Sequence, residues 1–215
     1  MQNDSRDIIL NKIRKGLESA QPFFDESIPE GEPVFNFSSD TQEIVFAQEL
    51  QKIGGKFIFC LNYKEFVSNL SILMEQESWS SIYCADRYLQ NFLTEADVPF
   101  DNGQQAFDEV EVAITRCEYL GARTGSVLVS SAHDSGRRIY AYAPVHIVVA
   151  FTSQVCRNNT EAIEKLMEKY GDDLPSFFSF ITGPSRTADI EKTLIMGAHG
   201  PRELYVFLMN DNEEL

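Results

Sequence analysis

Gly54-Gly55-Lys56-Phe57-Ile58-Phe59-Cys60-Leu61 stops one helical pattern and opens an apolar run. The stretch before it, from Thr41, carries helical periodicity that two glycines end, because glycine readily takes the left-handed conformation that closes a helix. The stretch after it places Phe66, Leu70, Leu73 and Met74 at helical spacing and returns to a β-like run at Ser81 to Cys84. This is β/α alternation. Arg87 to Thr94 reads as a short helix, and further β-like runs follow at Val110 to Thr115, Ser126 to Ser130, His146 to Phe151, Phe177 to Thr182 and Leu204 to Leu208. Several are apolar at consecutive positions, which suits strands buried on both faces of a mostly parallel central sheet with helices on either side. The fold class expected is α/β, with the runs that are apolar on both faces in a central, largely parallel sheet.

Working outward, Thr160 to Tyr170 sets Ile163, Leu166, Met167 and Tyr170 on one helical face, with Gly171 at its end. Towards the N-terminus, Ile9, Ile13 and Leu17 mark an amphipathic helix, and Ala20 to Asp40, with Pro22, Pro29, Gly31 and Pro33, reads as a linker. The organisation expected is an N-terminal helix and linker over 1–40 and an α/β domain over 41–215.

Composition bounds the partners. The chain has 215 residues, 33 acidic against 18 basic side chains, and a formal charge of −15. Such a field repels nucleic acid and anionic membrane surfaces, so neither is an expected partner. No apolar run approaches a membrane span and no leader-like stretch opens the chain, so a cytoplasmic location is expected. Cys60, Cys84, Cys117 and Cys156 contain no C-x-x-C pair, so no zinc or iron–sulfur site is expected in this chain, and buried reduced thiols are. His133, His146 and His199 lack metal-ligand spacing.

Four stretches could carry chemistry. Ile181-Thr182-Gly183-Pro184-Ser185-Arg186-Thr187-Ala188-Asp189-Ile190-Glu191 reads as strand, Gly-Pro turn and helix start, with Ser185 or Thr187 as cap. A helix N-terminus with Arg186 beside it would receive a carboxylate or phosphate. The same residues equally suit plain capping and dipole compensation. In Met196-Gly197-Ala198-His199-Gly200-Pro201 the flanking glycines could expose His199 as an acid or base, or the histidine could simply cap a turn. In Glu118-Tyr119-Leu120-Gly121-Ala122-Arg123-Thr124-Gly125-Ser126, Glu118 could be a nucleophile or base, and Thr124, Gly125 and Ser126 could line a pocket or form a turn. Gly136-Arg137-Arg138 leads to Pro144-Val145-His146; in so acidic a chain the two adjacent arginines could create a local anion site or simply pair with surface acids, and Arg138 and His146 are the candidates from this stretch. No G-x-S-x-G elbow, P-loop or G-x-G-x-x-G fingerprint is present.

Taken in order, Thr124-Gly125-Ser126, the Arg-rich turn before Pro144-Val145-His146-Ile147, the Gly183 to Glu191 block and Gly197-Ala198-His199-Gly200-Pro201 resemble the LUD domain family, in its lactate utilisation protein C type. The resemblance covers about Glu118 to Asp211. It reaches Thr124, Gly125, His146, Gly183, Ser185, Arg186, Thr187, Asp189, Glu191, His199 and Gly200, with Ser126 where threonine is common. It implies a three-layer Rossmann-like sandwich like that of the NagB/RpiA/CoA transferase-like superfamily. It also implies a subunit or accessory of a system oxidising L-lactate to pyruvate, with iron–sulfur clusters in partner proteins. The expected pocket holds a small carboxylate or phosphate near Arg186 and His199. Two alternatives stand beside it: a stand-alone CoA transferase-like or sugar-phosphate isomerase-like enzyme using Glu118, and a non-catalytic regulatory ligand-binding module.

Overall fold

The computed structural model describes residues 11–12, 14–15, 40–188, 194–196 and 200–211. Helix α1 (Gln42–Lys52) buries Phe46 and Leu50, one turn apart, and closes at Ile53 and Gly54 as the glycine pair predicts. Strand β1 (Lys56–Cys60) leads to α2 (Tyr63–Glu77), whose first turn is capped by the Asn62 side chain accepting from the Glu65 N–H. Phe66, Leu70 and Met74 recur every fourth residue along α2 and form its buried stripe. Then come β2 (Ile82–Tyr83), α3 (Arg87–Glu95), β3 (Phe100–Asp101), α4 (Gln104–Asp108) and β4 (Val112–Arg116). Asp86 caps α3 by accepting from the N–H groups of Tyr88 and Leu89.

After β4 the alternation changes. Strands β5 (Tyr119–Gly121) and β6 (Ser126–Ser130) flank a 3-10 turn at Ala122–Thr124, and α5 (Ile139–Tyr142) precedes β7 (Val145–Phe151). Next are β8 (Val155–Cys156), α6 (Asn159–Tyr170), β9 (Phe178–Ile181), β10 (Arg186–Ala188), β11 (Leu194–Met196) and β12 (Glu203–Met209).

Six strands form the central sheet in the order β1-β12-β7-β4-β2-β3, every pair parallel. One face packs on α2 and α3, through residues such as Phe66, Leu70 and Leu93 against Ile114, Val149 and Phe207. The opposite face packs on α1, α5 and a second sheet, through Phe46, Leu50 and Val127 against Val148, Val206 and Leu208. The fold is therefore a three-layer α/β sandwich around a parallel sheet. Ile147 to Ala150 and Leu204 to Leu208 are buried throughout, as strands covered on both faces must be. The four cysteines are buried free thiols. No helix among the described residues is long and apolar enough to cross a membrane.

Two expectations are corrected. Ser126 to Ser130 and Phe177 to Thr182 do not join the central sheet. As β6 and β9 they belong to a second sheet, β8-β5-β6-β9, in which the β5–β6 and β6–β9 pairs are antiparallel. Helix α6 covers its outer face through Ala162 and Leu166 against Leu128 and Cys156. Strand β6 is buried on both faces because it is sandwiched between that helix and the central layer, so its apolar run looks like that of a central parallel strand. Second, the segment after Gly183-Pro184 does not enter a helix at Ser185 or Thr187. Arg186–Ala188 is a strand that pairs antiparallel with Leu194–Met196. Ser and Thr bond to local backbone in turns as readily as at caps, and here the pairing of two short strands prevails. Of the N-terminal segment, Asn11, Lys12, Arg14 and Lys15 are helical and exposed; the rest of the expected helix and linker lies outside the described residues.

Candidate functional site

The Gly-Pro turn after β9 is stitched in place at three points. Gly183 adopts φ +79°, and a Cβ there would meet the Ile53 carbonyl oxygen at 2.8 Å, so the turn lies flat against the end of α1. Arg186 Nη2 donates to that same Ile53 oxygen at 2.8 Å, and the Ser185 N–H donates to the Pro201 carbonyl at 2.8 Å. The turn thereby joins α1 to the segment that enters β12.

A cleft of about 620 Å³ opens beside this turn. Ser179, Ile181, Thr182, Gly183, Ser185 and Arg186 form one side, and Arg137, Tyr140, Phe177, Gly200 and Pro201 contribute to the rest. Two guanidiniums thus border one concavity in a chain of charge −15, which gives it a local positive field. Arg137 is steadied by donating to Ser176 Oγ.

A chain of side-chain hydrogen bonds reaches the cleft rim. Thr124 Oγ1 donates to Asn159 Oδ1 at 2.9 Å, with the Gly121 carbonyl as a longer alternative at 3.4 Å. Its single proton is therefore spent, so Ser126 Oγ, 2.7 Å away, donates to it. By the same logic Thr182 Oγ1 donates to Ser126 Oγ across 2.8 Å. With Asn159 Oδ1 as the final acceptor, this order of donation commits the Thr182 proton to Ser126 and leaves the Thr182 oxygen its lone pairs.

Glu118 lies outside that cleft. It is buried under the outer face of the second sheet, and its carboxylate accepts from Ser130 Oγ at 2.5 Å, Lys169 Nζ at 2.8 Å and Tyr170 OH at 2.9 Å. His133 Nε2 stands 3.3 Å from Oε1, at ion-pair distance but without hydrogen-bond alignment. Burial alone would raise the Glu118 pKa. The contacts from His133, Lys169 and Ser130 outweigh it and hold the carboxyl well below the usual carboxylate range. A carboxylate so engaged is a poor nucleophile and a poor base. The thiols are equally quiet: burial pushes Cys84 up to about 12 and drives Cys117 up further.

Of the residues singled out from sequence, Gly183, Ser185, Arg186 and Gly200 meet at the cleft. Thr124 and Ser126 supply the relay behind it. Gly125, at φ +60°, is where the 3-10 turn presses on α1: a Cβ there would meet Leu50 N at 2.4 Å. Arg138 is elsewhere, its guanidinium 4.5 Å from the Phe107 ring centroid. His146 is a core residue, fully buried, with Nε2 bonded to Thr115 Oγ1 at 2.8 Å and Nδ1 without a partner. Burial pushes its pKa down to about 4. Thr187 lies in β10, and Asp189, Glu191 and His199 lie outside the described residues. Of the arginine pair that the sequence singled out, Arg137 lies at the cleft rather than Arg138; sequence reasoning missed Thr182, whose hydroxyl directly precedes the Gly-Pro turn and was available as a signal.

Comparison with known proteins completes the picture. Lactate utilization protein C of Geobacillus thermodenitrificans is 36% identical over 115 residues, covering 51% of this chain and 48% of that one. Its namesake in Bacillus subtilis is 32% identical over 119 residues, covering 54% and 49%. The same-named protein of Bacillus licheniformis is 30% identical over 113 residues, covering 52% and 47%. The chain thus spans about half the length of the curated relatives it matches. A crystal structure of a DUF162 family protein from Deinococcus radiodurans superposes with a TM-score of 0.58 at 16% identity, over 78% of this chain and 96% of that one, which is a likeness of fold. The pattern of the LUD domain matches residues 42–209, and the chain belongs to the LUD domain family.

Proposed function

We propose that this chain is the LUD component of a lactate-utilisation system, that its cleft binds a small hydroxycarboxylate such as L-lactate, and that iron–sulfur partner proteins carry the electrons. The relatives named lactate utilization protein C support the setting. The observation that carries the ligand is the presence of Arg137, Arg186 and an acceptor-only Thr182 around one cleft. A carboxylate suits the guanidiniums, and a 2-hydroxyl suits Thr182, because the relay leaves that oxygen able only to accept. The buried, fully engaged Glu118 does not favour a stand-alone transferase or isomerase built on it.

The test is genetic and biochemical together. A strain lacking the gene should lose growth on L-lactate and keep growth on pyruvate, and the tagged chain should co-purify with iron–sulfur proteins. Unchanged growth on lactate, with the chain recovered alone, would sink the reading.

A further inference from the structure

Strand β9 ends the second sheet, and among the described residues no strand pairs with its other side. Natural proteins blunt such edges by making them short, charged or proline-bearing, since an open row of N–H and C=O groups recruits other chains. The other edges of the two larger sheets follow that rule: β8 and β3 have two residues each, and β1 begins with Lys56, which is paired to Glu203 at 2.6 Å. The β9 sequence Phe178-Ser179-Phe180-Ile181 has neither a charge nor a proline.

The cleft runs along β9. Residues 179–186 are consecutive, and all line it. Successive strand side chains point to opposite faces. Phe180 indeed packs towards α6 while Ile181 packs towards the central sheet, yet both border the same concavity. The lining also includes Val129 of β6, which pairs with Ser179, so the cleft reaches from the inner face of the second sheet to β9 itself, where Phe180 borders it and the outermost backbone is presented.

We infer that this cleft receives an extended, acidic segment of a partner protein, which adds to β9 as a further strand while its carboxylates meet Arg137 and Arg186. Backbone pairing supplies the affinity in such strand addition, and flanking side chains supply the selection. Guanidiniums bordering the cleft of an otherwise acidic chain select acidic side chains. The concavity selects a lone strand over a second copy of this chain: Tyr140, Gly200 and Pro201 line the same cleft and narrow it, whereas the β9 of another copy is backed by β6 and α6. The inference rests on the reading that the chain works beside partner proteins through a carboxylate-binding cleft; the segment's carboxylates take the same two guanidiniums as the small hydroxycarboxylate, so the two occupants exclude each other.

The experiment titrates the full chain with a fluorescein-labelled peptide, Thr-Glu-Val-Glu-Val-Glu-Thr, at low salt and follows anisotropy. Two further peptides serve as controls: the same sequence N-methylated at alternate residues, and a version with lysine in place of glutamate. Saturable binding is expected, weakened at least tenfold by N-methylation, by lysine and by Arg137→Ala with Arg186→Ala. Amide exchange at 178–182 should slow when the peptide is bound. Absence of binding, or equal binding of the N-methylated peptide, overturns the inference, as does a chain whose β9 amides are already protected in a dimer. A separate lactate titration distinguishes failures: lactate bound without peptide removes this inference alone, and neither bound removes the carboxylate cleft as well.

Discussion

Arg186 Nη2 donates to the Ile53 carbonyl at 2.8 Å, and that single bond ties the cleft's turn to the C-terminal end of α1, 133 residues earlier in the chain. The guanidinium is both a brace and a cation. Arg186→Lys retains the charge but loses the planar fork, so carboxylate affinity should fall about tenfold, while stability falls by only about 1 kcal/mol for the lost hydrogen bond. Titration calorimetry with lactate and urea denaturation of the same variant separate the two effects. Equal affinity in the lysine variant would mean that charge alone acts.

The Glu118 cluster sets an acid dependence. Its folded-state pKa lies below the ordinary carboxylate value, so its stabilising contribution is complete above that value and fades as pH falls towards the depressed one. Glu118→Gln removes the carboxylate that Lys169 and Ser130 bond to and should cost about 1–2 kcal/mol at pH 7, since the Lys169 ammonium left behind is half-exposed and solvated. The gap between variant and parent should narrow below pH 4.5, the ordinary value. Urea unfolding at pH 7 and pH 3 checks this, and a gap independent of pH would contradict it.

His146 acts in a neighbouring window. Its folded pKa of about 4 lies below its ordinary 6.5, so the unfolded chain binds the proton first as pH falls. Stability should therefore decline between those two values, by about 1.4 kcal/mol per pH unit at most, and level off below. His146→Gln should remove that slope whatever its effect on stability at neutral pH. Thermal unfolding from pH 7 to pH 4 reads it directly.

Gly125 closes the 3-10 turn between β5 and β6, where the turn presses on α1. Its φ of +60° and the predicted clash with Leu50 N at 2.4 Å make Gly125→Ala destabilising by about 2–4 kcal/mol. Gly136 provides the comparison: at φ +71°, with nothing within 4 Å of the added Cβ, Gly136→Ala should cost only about 1–2 kcal/mol. Similar losses at both positions would remove the packing argument.

The parallel sheet was legible because its signals are local: glycine closing α1, buried stripes every fourth residue in α2, apolar runs in β7 and β12. The second sheet was not, because burial on both faces looks alike in a central parallel strand and in β6 beneath α6. Only the pairing partners distinguish them, and those are distant in sequence. The same distance governs the cleft. The motif from Gly183 to Arg186 announced itself, but Arg137 and Thr182 acquire meaning only when α5 and the end of β9 meet. Choosing Arg138 over Arg137 was a choice between adjacent positions of one turn, decided by Phe107, which holds Arg138 through its ring.

Thr182 gives the most direct test of the central claim, since on the proposed reading its lone pairs accept from the lactate hydroxyl, which pyruvate lacks. Calorimetric titration of the parent chain, Thr182→Val and the pair Arg137→Ala with Arg186→Ala should show lactate weakened at least fivefold by Thr182→Val with pyruvate nearly unaffected. Both acids should be weakened in the arginine pair. Lactate and pyruvate binding equally well to all three proteins, or to none, would contradict a hydroxycarboxylate cleft.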